Sequence, residues 1–392
     1  MNVSTEKYNS MEDNLIQNVN PTISAERHKM KKIVNIDHPL KYAIQPCPGF
    51  IKKELASYHL ELSGICEFGC VFCSTDFGLG TLFKIQTYRA AARSQYPSDF
   101  PDGDPDIHEF CKTYAMSYLD ILQKIEIGLT GIDPEKTIGK TLMFGQLVDN
   151  FGPELMKEGI TRRAMEMVLE KTYFRIRCLS KSTAVAHGSL MELYLEYPDR
   201  FIVGLSIGTV DDSLARKIEV GTSRPSARIK ALHKLQDAGV KTYGMLCPVL
   251  KSAVDGLESL VDQINPQVCE HIWVESYNDR SNWGIVQKAL GTDHPDYEWF
   301  AKAYGSKDTA LWSSYTTELY TRIRDKAEVD GWISKLRYLL YEGDITESDA
   351  PEYKGHIARD VLLQGVKDKE TGKSKNPAFA DFDPGKPVRK VK

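Results

Sequence analysis

No apolar run in this chain of 392 residues reaches the roughly 18 residues that a membrane-spanning helix needs. The N-terminal stretch MNVSTEKYNSMEDN has no apolar signal segment. Eight cysteines are present, but they are spread too widely for the disulfide framework of a small secreted domain. These absences make a cytoplasmic, reducing location the expectation, with no membrane partner. A strong basic charge is missing as well. The net charge is −4 and the isoelectric point about 6.2, which argues against broad binding to nucleic-acid phosphates. There is no internal repeat beyond an alternation of strand and helix patterns. No second C-x2-C or H-x3-H pair accompanies the single tight cluster of cysteines.

That cluster lies in the stretch SGICEFGCVFCS, residues 63–74. Cys66, Cys70 and Cys73 are spaced C-x3-C-x2-C, with Phe72 just before the last. Three readings compete. The thiols can be unrelated. They can belong to a zinc site, although structural zinc prefers four N/S ligands in paired knuckles. Or they can hold three irons of a cubane 4Fe-4S cluster. An electron-transfer ferredoxin would supply a fourth cysteine, so three leave one iron open to a small chelating ligand.

The rest of the chain places this loop. With 42% hydrophobic residues a sizeable core can be buried. Residues 56–63 (ASYHLELS) alternate like a strand that runs into the cysteine loop. Further strands are expected at 141–148, 174–180, 201–207, 241–247 and 271–275, with helices at 161–172, 190–196, 226–238 and 257–264 between them. Gly239 marks a helix end. Such alternation predicts an α/β fold with parallel strands joined by right-handed crossovers. Six units suit a partial (β/α)6 barrel of TIM type, whose chemistry gathers at the C-terminal strand ends. The expected organisation is a flexible arm at 1–34, the barrel at 35–283, a mainly helical C-terminal extension at 284–366 and a disordered basic tail at 367–392. The segment 75–140 reads as mixed, with helices at 87–93 and 107–127. A helix at 312–329 is expected against the open side of the barrel, and 338–340 as an added edge strand.

C-x3-C-x2-C after the first strand, with an aromatic before the last cysteine, resembles the signature of the radical S-adenosylmethionine superfamily. FGQLVDNFGPE followed by ITRRAMEMVLE, then RIRCLSKSTAV, the long run from VGLSIGTVDD to GMLCPVL, and WVESYNDRSNW all resemble stretches of spore photoproduct lyase-like enzymes, often labelled DNA repair photolyases. The resemblance covers residues 57–283. It implies a 4Fe-4S cluster on Cys66, Cys70 and Cys73, and S-adenosylmethionine chelated to the open iron. Reductive cleavage of that cofactor gives a radical that abstracts hydrogen from a substrate. It further implies that Lys181 lies near the cofactor carboxylate, Ser206 at its ribose or carboxylate, and Asp149 after the second strand. The turn departs from the family pattern, with Asn150-Phe151-Gly152 in place of Pro-Tyr-Gln. The family's hydrogen-donating cysteine on the second strand is absent, and Gln146 is the polar interior residue there.

Pleat alternation adds candidates of its own. If Lys181 faces the lumen, Leu179, Arg177 and Arg175 share its face, and His271, Trp273 and Glu275 point inward from the sixth strand. Phe144 and Gln146 do the same on the second. Arg177 and Glu275 then contact substrate or pair with one another. Trp273 packs or stacks. Cys247 near the end of the fifth strand donates hydrogen to a radical or is an inert thiol. The expected function is a radical enzyme acting on a polar substrate, with a nucleic-acid base or nucleotide first, served by a reductant such as flavodoxin or ferredoxin. The alternatives are radical modification of a peptide or protein partner, and a non-catalytic iron–sulfur or zinc scaffold.

Overall fold

The computed structural model describes residues 31–47, 55–76, 78–101, 103–277, 279–339 and 345–357. The tail expected at 367–392, and all but the end of the arm expected at 1–34, lie outside the described residues. In chain order the strands are β1 (Lys32–Ile36), β2 (Ile44–Pro46), β3 (Tyr58–Leu60), β4 (Ser63–Ile65), β5 (Gly69–Cys70), β6 (Tyr114–Tyr118) and β7 (Thr141–Phe144). They continue with β8 (Arg175–Ser180), β9 (Phe201–Ser206), β10 (Glu219–Val220), β11 (Thr242–Val249), β12 (Cys269–Ser276) and β13 (Leu336–Leu339). β1 begins at Lys32, so the last residues of the expected arm enter a sheet.

The central sheet runs β13-β12-β11-β9-β8-β7-β3-β2. Every neighbouring pair from β3 to β13 is parallel, and β2 adds an antiparallel edge. The fold is thus mixed α/β around a largely parallel sheet. Its strands follow one another in the order read from the sequence, and β13 supplies the expected edge strand. A separate sheet, β1-β6-β4, stands beside it.

Period-two alternation sorts each parallel strand onto two faces. Leu142, Ile176, Cys178, Val203, Leu246, Ile272 and Val274 face the helices and join one large core with Val168, Leu232 and Val261. Each such aliphatic side chain contributes roughly 1.5–3 kcal/mol when fully buried. Phe144 also belongs to this core, its ring 5.8 Å from that of Phe151, so it does not point inward as the pleat count expected. Met143 takes the inner position instead. Leu55, Ile202, Tyr243, Met245 and Trp273 fill the opposite face.

Several expected elements change, and the first strand, expected at 56–63, is divided between β3 in the central sheet and β4 in the small one. The second strand stops at Phe144 rather than reaching residue 148. Gly145 adopts φ +84°, a left-handed turn that side-chain-bearing residues rarely make. The carboxylate of Glu61 then accepts the backbone N–H groups of Gln146 (2.9 Å), Leu147 and Val148 (both 3.1 Å), closing a nest of donors over a buried anion. The expected helix at 107–127 is broken by β6. A helix Ile107–Thr113 gives way to the strand, and another helix, Ile121–Thr130, follows. Phe110, Tyr114 and Tyr118 recur every four residues, which mimics a helical stripe. The helix Thr309–Val329 contains the helix expected at 312–329. Its Leu319, Tyr320 and Ile323 join the main core, and Arg322 pairs with both oxygens of Glu258 at 2.8 Å on the helix Leu257–Gln263. Among the described residues no helix is long and apolar enough to cross a membrane.

Candidate functional site

The cysteine loop follows β4 and is anchored at four points. β5 pairs antiparallel with β10, setting Cys70 opposite Glu219, and Val71 N–H donates to the Ile218 carbonyl at 2.9 Å. The buried side-chain amide of Asn282 donates to the Val71 carbonyl at 3.0 Å, across 211 residues of sequence. Phe72 packs among Leu214, Ile218 and Tyr277. The carboxylate of Glu67 accepts from the backbone N–H of Glu154 (3.0 Å) and Leu155 (3.4 Å), two of the orphan donors that open the helix Pro153–Lys157. Within the loop, Cys73 N–H donates to the Cys70 carbonyl at 3.1 Å.

The β5–β10 ladder brings the C-terminal ends of β8, β9 and β11 against this loop. Lys181, just beyond β8, places its ammonium 5.2 Å from the Phe72 ring centroid. It donates to Glu219 Oε1 (2.7 Å), Ser206 Oγ (2.9 Å) and the Cys247 carbonyl (3.0 Å). Ser206 Oγ also donates to the Cys247 carbonyl at 2.8 Å. Arg228, fully buried on the helix Pro225–Asp237, binds the other oxygen of Glu219. Burial pushes the Glu219 carboxyl up, but Lys181 and Arg228 outweigh it and hold it below its usual range. Asp149 serves the backbone: it accepts from Lys181 N–H (2.7 Å), Phe151 N–H (3.0 Å) and Ser180 Oγ (2.9 Å). It therefore fixes the point at which Lys181 leaves the sheet.

The sequence brought Cys66, Cys70, Cys73, Lys181, Ser206 and Asp149 forward as candidates, and the structure gathers all six. Cys247 joins them through its carbonyl, while its thiol donates to Glu275 Oε2 at 3.0 Å. Arg177 and Gln146 stand apart. Arg177 is 3% exposed, its guanidinium 4.8 Å over the Tyr243 ring, and its Nε and Nη1 have no hydrogen-bond partner. The inner face around it is filled by side chains, so it is not an open lumen at that depth. Gln146 lies in the turn after β7 rather than on the strand, because Gly145 and Glu61 end the strand before it. Glu219 and Arg228 were missed as candidates. The signal was present: Arg228 occupies the apolar stripe of its helix with Leu232 and Leu235, where an unpaired charge is untenable.

Burial pushes the Cys66 thiol up to about 12, and raises Cys70 and Cys73 further, with Lys181 opposing this at Cys70. A bound iron cluster would supply the positive charge that deprotonates them. Among the described residues no three His, Cys, Asp or Glu groups converge as a site for one metal ion. Three cysteines on one anchored loop could hold three irons of a cluster, one cysteine to each iron. Beside the loop, on the side of Ser63 and Ser74, opens a cleft of about 820 Å³ bordered by His38, His59, Lys84, Tyr88, Tyr118 and Arg280.

No protein-family model matches the chain. Over 159 residues it is 23% identical to the uncharacterized protein ORF301 of Acidianus two-tailed virus, covering 39% of this chain. It spans about half the length (51%) of that curated relative. Among solved structures it is similar to spore photoproduct lyase complexed with dinucleoside spore photoproduct, at a TM-score of 0.43 and 16% identity, over 74% of this chain and 79% of that one. It is also similar to anSMEcpe with bound AdoMet, at a TM-score of 0.39 and 11% identity, over 70% and 59% of the two chains.

Proposed function

We propose that this chain is a radical S-adenosylmethionine enzyme acting on a polar substrate, its parallel strands forming an open, partial barrel. The observation that supports it best is the β5–β10 pairing, which sets Lys181 and its partners against the loop of Cys66, Cys70 and Cys73. When bound, the 4Fe-4S cluster supplies one electron for cleavage of the cofactor. The three cysteines hold the cluster. Lys181 offers a fixed cation to the cofactor carboxylate. Its three acceptors are one carboxylate and two neutral oxygens, so the incoming acid displaces a neutral oxygen and leaves Glu219 in place. Ser206 stands beside it as a hydroxyl partner. The cleft bordered by Tyr88, Tyr118 and Arg280 is within the volume of a small-molecule site and receives the substrate, with a nucleotide or nucleic-acid base as the first class to test.

Anaerobic reconstitution tests the reading. The expected result is about four irons per chain with matching sulfide, and release of 5′-deoxyadenosine from S-adenosylmethionine under reductant. Cys70→Ala should lose both together. Cleavage that survives in Cys70→Ala would sink the proposal, and zinc without labile sulfide would favour a scaffold.

A further inference from the structure

Behind the cysteine loop lies a pair of charges that the proposed reaction has not used. Lys31 immediately precedes β1. Its ammonium donates to the Cys66 carbonyl at 3.0 Å and lies 3.9 Å from Asp76 Oδ2, both side chains being 4% exposed. Its Cε lies 3.6 Å from where a Cβ on Gly69 would stand. Asp76 approaches the loop from the other end. Its backbone N–H points at Cys73 Sγ at 3.4 Å, and its Oδ1 is buried with no hydrogen-bond partner. The Cys111 thiol donates to the Asp76 carbonyl at 3.8 Å. A cation thus sits against Cys66 and the backbone before Cys70, and an anion against Cys73.

We propose that the buried Lys31–Asp76 pair tunes the reduction potential of the cluster held by Cys66, Cys70 and Cys73, so that the small sheet β1-β6-β4 backs the cluster electrostatically. The inference rests on the cluster reading above. Reduction adds negative charge to a cluster. A nearby cation favours the reduced state and a nearby anion opposes it, and charge and hydrogen bonding around the sulfurs are the protein's main levers. Charges removed from water act strongly over such distances, because mobile ions and solvent do not screen them. Together the two charges nearly cancel, so removing either one exposes the other. A pair that only pinned β1 to the loop would change stability and leave the potential alone.

The two variants therefore have opposite signs. In the reconstituted full chain, an EPR-monitored redox titration of Lys31→Met should show a lower midpoint potential than the unmodified protein. The reduced-to-oxidised ratio at fixed potential should fall about tenfold, which is about 59 mV for one electron. Asp76→Asn should move it up. Lys31→Arg should keep it near the original value, and Cys111→Ala, which touches the same backbone without carrying charge, should leave it unmoved. Iron and sulfide content and the melting temperature of the apo protein are read alongside. If Lys31→Met takes up no iron, the sign of the Asp76→Asn shift decides the matter alone. Shifts of equal sign, or unmoved potentials with a lowered melting temperature, overturn the inference. A cluster with unmoved potentials sinks this inference only, whereas an unmodified chain that assembles no cluster sinks the cluster reading and this one with it.

Discussion

Lys181 has all three of its protons committed, and that makes it a fixed cation rather than a mobile one. Its removal is survivable, because Arg228 still neutralises Glu219. Lys181→Ala should therefore leave iron content intact and weaken S-adenosylmethionine binding. A hydrogen bond to a charged group is worth about 1.5–3 kcal/mol, so a loss of about 10- to 100-fold in affinity is expected by calorimetry. An unchanged dissociation constant at full iron content would remove Lys181 from the cofactor site. His271 offers a test remote from the loop. Burial, then Arg177 and Arg337, lower its pKa from 6.5 to about 4. Between those values the unfolded chain binds the extra proton and the folded chain does not, so stability falls as pH drops from 6.5 toward 4. The loss is on the order of 3 kcal/mol at the lower end. His271→Gln should flatten this dependence, seen as a smaller difference in urea midpoint between pH 7 and pH 5. An identical difference would show that His271 is not what makes the fold acid-sensitive.

At the scale of elements, the inner face of the sheet is set by one small residue. A Cβ on Gly204 would stand 2.4 Å from the ring of Tyr243, whose hydroxyl is tied to the Cys178 carbonyl at 3.0 Å. The ring cannot step aside without losing that bond. Gly204→Ala should cost about 1–3 kcal/mol, visible as a lowered melting temperature, and an unchanged melting curve would show that β11 yields there. The parallel strands were legible because their alternation and the helical stripes between them are strong, regular signals. Residues 145–148 were not, since Glu61, far away in sequence, decides where β7 ends. β6 was hidden because spacing by four between Phe110, Tyr114 and Tyr118 satisfies a helix and a strand of aromatics alike.

Across the whole molecule, legibility followed locality. Cys66, Cys70 and Cys73 announced themselves within eight residues. Lys181, Ser206 and Asp149 came from motif resemblance at strand ends. Glu219, Arg228, Lys31 and Asp76 did not surface as candidates, because each matters only through a partner from another element. The interior expected to be open around Arg177 is packed, since pleat alternation reports which side a residue faces and says nothing of how much space remains there.

The amide that ties Asn282 to the Val71 carbonyl carries a consequence for the order of events during synthesis. A ribosome makes the cysteine loop well before two of the partners that hold it, Glu219 and then Asn282, emerge. Domains fold as units once their distant contacts exist. Until then the three thiols are an incompletely anchored chelating segment, with Lys31 and the helix Pro153–Lys157 the partners already made, able to take up whatever soft metal is present. If the loop holds the proposed cluster, its delivery belongs after the chain has passed Asn282, and a nascent chain stalled before that point should take up metal without holding it in the native arrangement.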